Sequence, residues 1–186
     1  MPHVQLSRWH KWLYWTRYHV GANLKLLVDY WLARSAPQQT VDGLSLVDLS
    51  GDSKSESRFA ILQQALRLID YYDPLRYRGL KRHIRRVIID DSISKQAMYF
   101  LGTGSCIIHP DLLGLGGATV ASALVHEAAH ARLDRLRIRQ SPDRYVRIES
   151  ICMRQEIDFV CRFPQTPELK LWIQNRMDHI ARLETI

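Results

Sequence analysis

The pentapeptide His126-Glu127-Ala128-Ala129-His130 places two imidazoles and a carboxylate at a spacing suited to hydrolysis by a metal-activated water. On a helix, residues four apart sit about 40° from one another around the axis, so both imidazoles reach one ion while Glu127 points about 100° away. Glu127 is then free to act as a general base. Zinc of the catalytic kind takes three protein ligands, keeps a fourth position for water and lowers the pKa of that water to about 7. A third ligand must come from elsewhere. Glu149 follows His130 after eighteen intervening residues, and Glu156, seven further on, lies within about 20° of it on the same helical face. Either carboxylate can meet the metal while the other orients a histidine. Asp134 is too far round and along the first helix to close a tetrahedron, and is expected as a solvated carboxylate paired with Arg137. Cys152, three residues after Glu149, is expected as a small buried hydrophobe, although it is near enough in sequence to approach the site.

HExxH followed by eighteen residues and Glu is similar to the gluzincin metallopeptidases, the thermolysin-like and aminopeptidase-like group. The stretch from about Phe59 to Phe163 also resembles a small bacterial family of uncharacterised zinc-metallopeptidase-type proteins. The resemblance covers little more than half the chain. It implies one zinc ion held by His126, His130 and Glu149 (Glu156 being the alternative third ligand), Glu127 as general base, and a peptide or protein substrate. It also implies a zincin-like core in which a strand preceding the motif helix lines the cleft. The glycine-rich acidic segment of aminopeptidase-like enzymes is absent before His126. For the oxyanion, Tyr99, Tyr145 and His179 are the candidates, with Tyr145 first because it lies four residues before Glu149 on the same helical face.

The elements that must position these residues are legible from periodicity. Ala118 to Arg139 has almost no breaker, and Val120, Ala123, Leu124, Ala131, Leu133 and Leu136 recur at roughly helical intervals. A second helix is expected over Asp143 to Arg162, a scaffold helix from Ser57 to about Tyr72 ended by Asp73-Pro74, and a last one opened by Thr166-Pro167-Glu168 and reaching about Leu183. Arg85 to Asp90, Gln96 to Leu101 and Ser105 to His109 read as short strands, with turns at Asp91-Ser92 and Gly102-Thr103-Gly104. The expectation is an α+β domain, mostly helical, with a small three-stranded antiparallel sheet beside the HExxH helix. Gly104, Ser105, Cys106, Ile107, Ile108 and His109 are the candidate edge strand for a substrate peptide. The plainer reading of His109 is a strand end before Pro110.

A chain of 186 residues with 46% hydrophobic and 24% charged content supports one real core. Its organisation reads as an amino-terminal amphipathic aromatic helix (1–34), a polar linker or mobile loop (35–56) and the catalytic core (57–186). In the first segment Trp9, Trp12, Leu13, Thr16, Val20, Leu24, Leu27, Val28, Trp31 and Leu32 follow a helical stripe. Arg8, Lys11, Arg17 and Lys25 break any run approaching the roughly 20 apolar residues of a spanning helix. The stripe is expected to pack on the core, or else to meet a membrane surface or a partner. Three cysteines without a CxxC pair suggest reduced thiols and a cytoplasmic location. An excess of 26 basic over 19 acidic residues gives +7, concentrated at Arg76, Arg78, Lys81, Arg82, Arg85 and Arg86. A solvated face is the ordinary reading of that run, and an acidic or nucleic-acid partner the alternative, without a recognisable nucleic-acid fold signature. A DNA-associated protease with three histidine ligands is disfavoured, because only His179 follows His130. The competing function is a catalytically inactive, zinc-stabilised binding module.

Overall fold

The computed structural model describes residues 36–51, 53–138, 141, 144–163 and 167–184, with side chains left out at 168, 176 and 179–184. The chain divides into Met1–Ala36 and Pro37–Ile186, and every described element lies in the second unit. The expected amino-terminal amphipathic helix, the side chain of His179 and the cap at Thr166 fall outside the described residues.

In chain order the elements are β1 (Gln38–Val41), β2 (Leu44–Asp48), α1 (Ser55–Tyr72), α2 (Pro74–His83), β3 (Arg86–Ile89), β4 (Ala97–Phe100), β5 (Ser105–Ile108), α3 (Pro110–Leu113), α4 (Gly117–Arg135), α5 (Tyr145–Val160) and α6 (Pro167–Glu184). The fold is α+β, but the sheet is five-stranded and mixed, in the order β1-β2-β3-β5-β4. β2, β3 and β5 run parallel, and β1 and β4 close the two sides antiparallel. This corrects the three-stranded antiparallel expectation, and the apolar patterning explains the outcome. Val87-Ile88-Ile89 and Cys106-Ile107-Ile108 are unbroken apolar runs, which suit central strands covered on both faces. Register puts Leu46, Val87, Cys106 and Tyr99 on one face and Val47, Ile88 and Ile107 on the other. Both sets are buried. The more polar Gln38–Val41 is left for an edge.

The linker expected over 35–56 also needs correcting, because it supplies β1 and β2. Asp42 and Gly43 both have positive φ, 49° and 82°, and join Val41 to Leu44 in a two-residue hairpin whose twist matches the strands. The Tyr77 hydroxyl donates to Asp42 Oδ2 at 2.7 Å, tying that turn to α2. With β2 in place, α1 becomes a crossover between two parallel strands, β2 and β3.

α1 buries Phe59, Leu62, Ala65, Leu66 and Ile69, the face expected from spacing, and stops at Asp73-Pro74. Asp73 then caps α2, accepting from the Arg76 amide at 3.0 Å, with Pro74 in the first helical position. α1, α4 and α5 pack over the Leu46–Val87–Cys106 face in one apolar cluster that includes Leu66, Leu124 and Phe159. A smaller apolar cluster of Leu133, Ile148 and Cys152 lies between α4 and α5. Among the described residues no helix is long and apolar enough to cross a membrane.

Candidate metal centre

α4 holds His126, Glu127 and His130 on successive turns, and α5 brings Glu149, Cys152 and Glu156 against it. Burial here is deep: His126 is 5% exposed, His130 8%, Glu149 8% and Glu156 1%. Charged side chains are almost never this buried unless paired or holding a metal.

The donor atoms converge. His126 Nε2 and His130 Nε2 are 3.1 Å apart. Glu149 straddles them, with Oε2 3.4 Å from His126 Nε2 and Oε1 3.4 Å from His130 Nε2. Zinc–nitrogen and zinc–oxygen bonds of about 2.0–2.1 Å at tetrahedral angles hold donors roughly 3.3–3.4 Å from one another. The imidazole pair and the Glu149 carboxylate, one oxygen against each ring, thus lie at about the separations taken by donors around a zinc-sized ion.

Around this triangle lies a set of orienting contacts. His126 Nδ1 is 3.0 Å from Glu156 Oε2, and Glu156 Oε1 accepts from the Ser122 hydroxyl at 2.6 Å. On losing its Nε2 proton to a metal, His126 would keep the other on Nδ1 against Glu156, the arrangement in which a carboxylate fixes the tautomer of a metal-binding imidazole. Burial alone would lower the pKa of His126, but hydrogen bonds to Glu149 and Glu156 and the charge of Glu127 outweigh it and raise the value to about 10. For His130 burial prevails and the pKa falls. Burial would raise that of Glu149, yet the two imidazoles bring it below the ordinary value. Sequence reasoning passed over Ser122. It stands four residues before His126 on the stripe that carries both motif histidines, and that was the available signal.

Cys152 is the rival donor. Its sulfur lies within 4.8 Å of both imidazole donors and it is fully buried. Burial, and then the neighbouring carboxylates of Glu149, Glu127 and Glu156, push its thiol far above the usual range, so that without a metal it stays protonated. Glu149, with one oxygen 3.4 Å from each Nε2, and Cys152 thus both reach the imidazole pair.

Glu127 lies beside the imidazoles, where its charge acts on both, and its Oε2 accepts from the Tyr99 amide of β4 at 2.6 Å. Tyr99 thus presents its backbone away from β5, so by strand alternation Ala97 does too. β4 is an edge of the sheet and β5 is not, since β5 pairs with β3 on one side and β4 on the other. The expectation of Gly104–His109 as an edge strand is therefore corrected: its apolar run draws it inside. His109 instead caps α3, its Nδ1 accepting from the Asp111 amide at 3.2 Å.

The remaining candidates are spread around the site. Tyr145 opens α5, 43% exposed and one turn before Glu149. The Tyr99 hydroxyl is engaged with Asp134 Oδ2 at 3.1 Å, and burial followed by the Asp134 charge pushes its pKa up to about 12. Asp134 also accepts from the Gly102 amide at 2.8 Å. It anchors the β4–β5 turn rather than pairing with Arg137, another correction, because two fixed donors outcompete a solvated side chain. No protein family matches this chain, and no curated protein or solved structure is detectably similar to it.

Proposed function

We propose that the protein is a zinc-dependent peptidase, with His126, His130 and Glu149 as the ligand set and Glu127 as general base. The observation that carries this reading is the His126–His130 nitrogen pair at 3.1 Å, with a Glu149 oxygen 3.4 Å from each ring and a separately held carboxylate one residue along the same helix. Zinc bound there would supply Lewis acidity for the scissile carbonyl and a lowered pKa for water. Glu127, fixed at one oxygen by the Tyr99 amide, takes a proton from the attacking water and delivers it to the leaving amine. Glu156 and Ser122 keep the His126 ring turned to its partners. The edge strand β4, with the backbone of Ala97 facing outward and the Tyr99 amide held by Glu127, suits an extended peptide that adds to the sheet at Ala97 beside Glu127.

The fully buried Cys152 sulfur favours a second reading. If Cys152 closed the coordination as a fourth donor, the ion would be structural and the protein a zinc-stabilised binding module. The two readings separate in one experiment, an unbiased peptide-library cleavage assay with and without chelator, run beside metal analysis of wild type and Glu127→Gln. A peptidase loses cleavage on chelation, and Glu127→Gln retains about one zinc while losing at least ~100-fold in turnover. Equal cleavage by Glu127→Gln would remove the general-base assignment. Unfolding on chelation with no cleavage by any form would establish the binding module.

A further inference from the structure

The basic run from Arg76 to Arg86 takes no part in this chemistry, yet the fold gathers it with cations from elsewhere. α2 ends with Lys81, Arg82 and His83, and α4 ends with Arg132 and Arg135. The two ends meet where Arg135 Nη1 donates to the Arg82 carbonyl at 2.7 Å. Burial, then Arg135, Arg82 and Arg132, lower the pKa of His83 between them. Arg85 joins through the β4–β5 turn, its amide donating to the Gly104 carbonyl at 2.7 Å, while the Gly102 amide reaches Asp134 on α4. Arg82, Arg85, Arg132, Arg135 and Arg137 are all exposed. Among the described residues none of them has an acidic partner.

Two details show that folding alone does not ask for this charge. Asp134, the carboxylate placed to neutralise Arg137, is turned inward to Tyr99 and Gly102. Arg137 itself has φ +60° just past the end of α4, where its amide bonds to the Asp134 carbonyl and that of Ile138 to the Leu133 carbonyl. That is the left-handed position of a Schellman motif, which favours glycine. Cations in the last turn of a helix do stabilise it, but Arg85 and Arg137 lie outside both helices. Around α4, Arg132 and Arg135 sit about 240° and 180° from His126, so the patch faces away from the donor triangle.

We infer that this end of the molecule, where β3 and β5 begin, binds the phosphodiester backbone of nucleic acid. Each of these exposed side chains is a guanidinium, the planar fork that matches phosphate oxygens in pairs. They are presented from helix ends and strand starts rather than from a mobile tail. An anionic membrane is the weaker fit, because among the described residues only Leu136 (59% exposed) and Ile138 (38%) interrupt the charge, too little apolar area for insertion.

The test uses the full chain and fluorescein-labelled mixed-sequence probes, a DNA duplex and an RNA single strand, titrated by anisotropy across a salt series. Binding is expected to at least one probe, with log K falling linearly in log salt. Arg132→Gln/Arg135→Gln and Arg82→Gln/Arg85→Gln should each weaken it at least ~10-fold and lower the salt slope by about 1 for each phosphate no longer neutralised. Arg67→Gln and Arg154→Gln, exposed on α1 and α5, should leave it unchanged. Arg137→Gly guards against misfolding: it relaxes the backbone, so binding should weaken while Tm holds or rises. Absence of binding to both probes, wild-type affinity in the patch variants, or binding to phosphatidylserine vesicles alone would each overturn the inference.

Discussion

α1 and α5 each bury a full face, against very different company. Leu62, Ala65, Leu66 and Ile69 of α1 meet an apolar surface built from Leu46, Val87 and Leu124, all at 1% exposure or less. α5 buries Phe159 and Val160 in the same way at its carboxyl end, but in its middle Glu149 and Glu156 face His126 and His130 of α4. Burial in the first region is favourable and non-directional, at about 25 cal/mol per Å² of apolar surface. In the second region the polar groups lose hydration and recover it only through particular partners at particular distances, so the net gain in stability is small or negative. An apolar seam of similar volume would hold α4 and α5 together at least as well. Stability does not explain the polar seam, and the bound ion proposed above would.

The largest expected effect tests the apolar side. Leu62→Ala should cost about 2–5 kcal/mol in denaturant unfolding, whereas the volume-conserving Leu62→Met should cost under about 1.5 kcal/mol. Equal costs would mean that α1 depends on exact shape as the polar seam does, and the contrast would fail. The next effect tests the polar side with an isosteric change. Glu156→Gln keeps the volume but removes the charge that holds His126 Nδ1, and zinc affinity measured by competition with a chelator should fall about 10–100-fold. Unchanged affinity would show that Glu156 merely fills space. Ser122→Ala, which loosens Glu156 at one remove, should move in the same direction by less.

The same contrast governs what could be read from the sequence. Spacing within α4 is a local property of a 3.6-residue period, so His126, Glu127 and His130 were legible as a unit, as was the face of α1, while the stripe expected on α4 held only in part, Leu136 lying past its end at 59% exposed. The relation between α4 and α5 was legible only through the resemblance to a known spacing, which left Glu149 and Glu156 as alternatives until the structure placed one carboxylate on both Nε2 atoms and the other on Nδ1. The sheet order was not legible, because strand pairing is decided by long-range cover rather than by neighbours in the chain. Two clues were nonetheless present: Asp42-Gly43 is a hairpin dipeptide between Val41 and Leu44, and apolar triads such as Val87-Ile88-Ile89 point to parallel central strands. Without β2, α1 could not be recognised as a crossover, and β5 was given the edge that belongs to β4. The helix α2 was hidden by its charge, since Arg76, Arg78, Lys81 and Arg82 leave only Tyr77 and Leu80 as its buried face.

Tyr99 lies where the two regions join, and it yields the smallest and sharpest test. Its ring belongs to the apolar cluster, its hydroxyl to Asp134 and its amide to Glu127. Tyr99→Phe keeps the ring and the amide and deletes only the hydroxyl, so the expected cost is about 0.5–1.5 kcal/mol. The pH dependence identifies the source. Burial and Asp134 raise the Tyr99 pKa from 10 to about 12 in the folded protein, so its contribution is fully present below pH 10 and is lost as pH rises through 12. The stability gap between wild type and Tyr99→Phe should therefore narrow over that interval when melts are compared at matched pH. Zinc content and cleavage should stay within about two-fold of wild type, because the backbone, not the phenol, holds Glu127. A large loss of cleavage with zinc retained would instead make the Tyr99 hydroxyl part of the chemistry, and the boundary drawn between the apolar and polar regions would have to move.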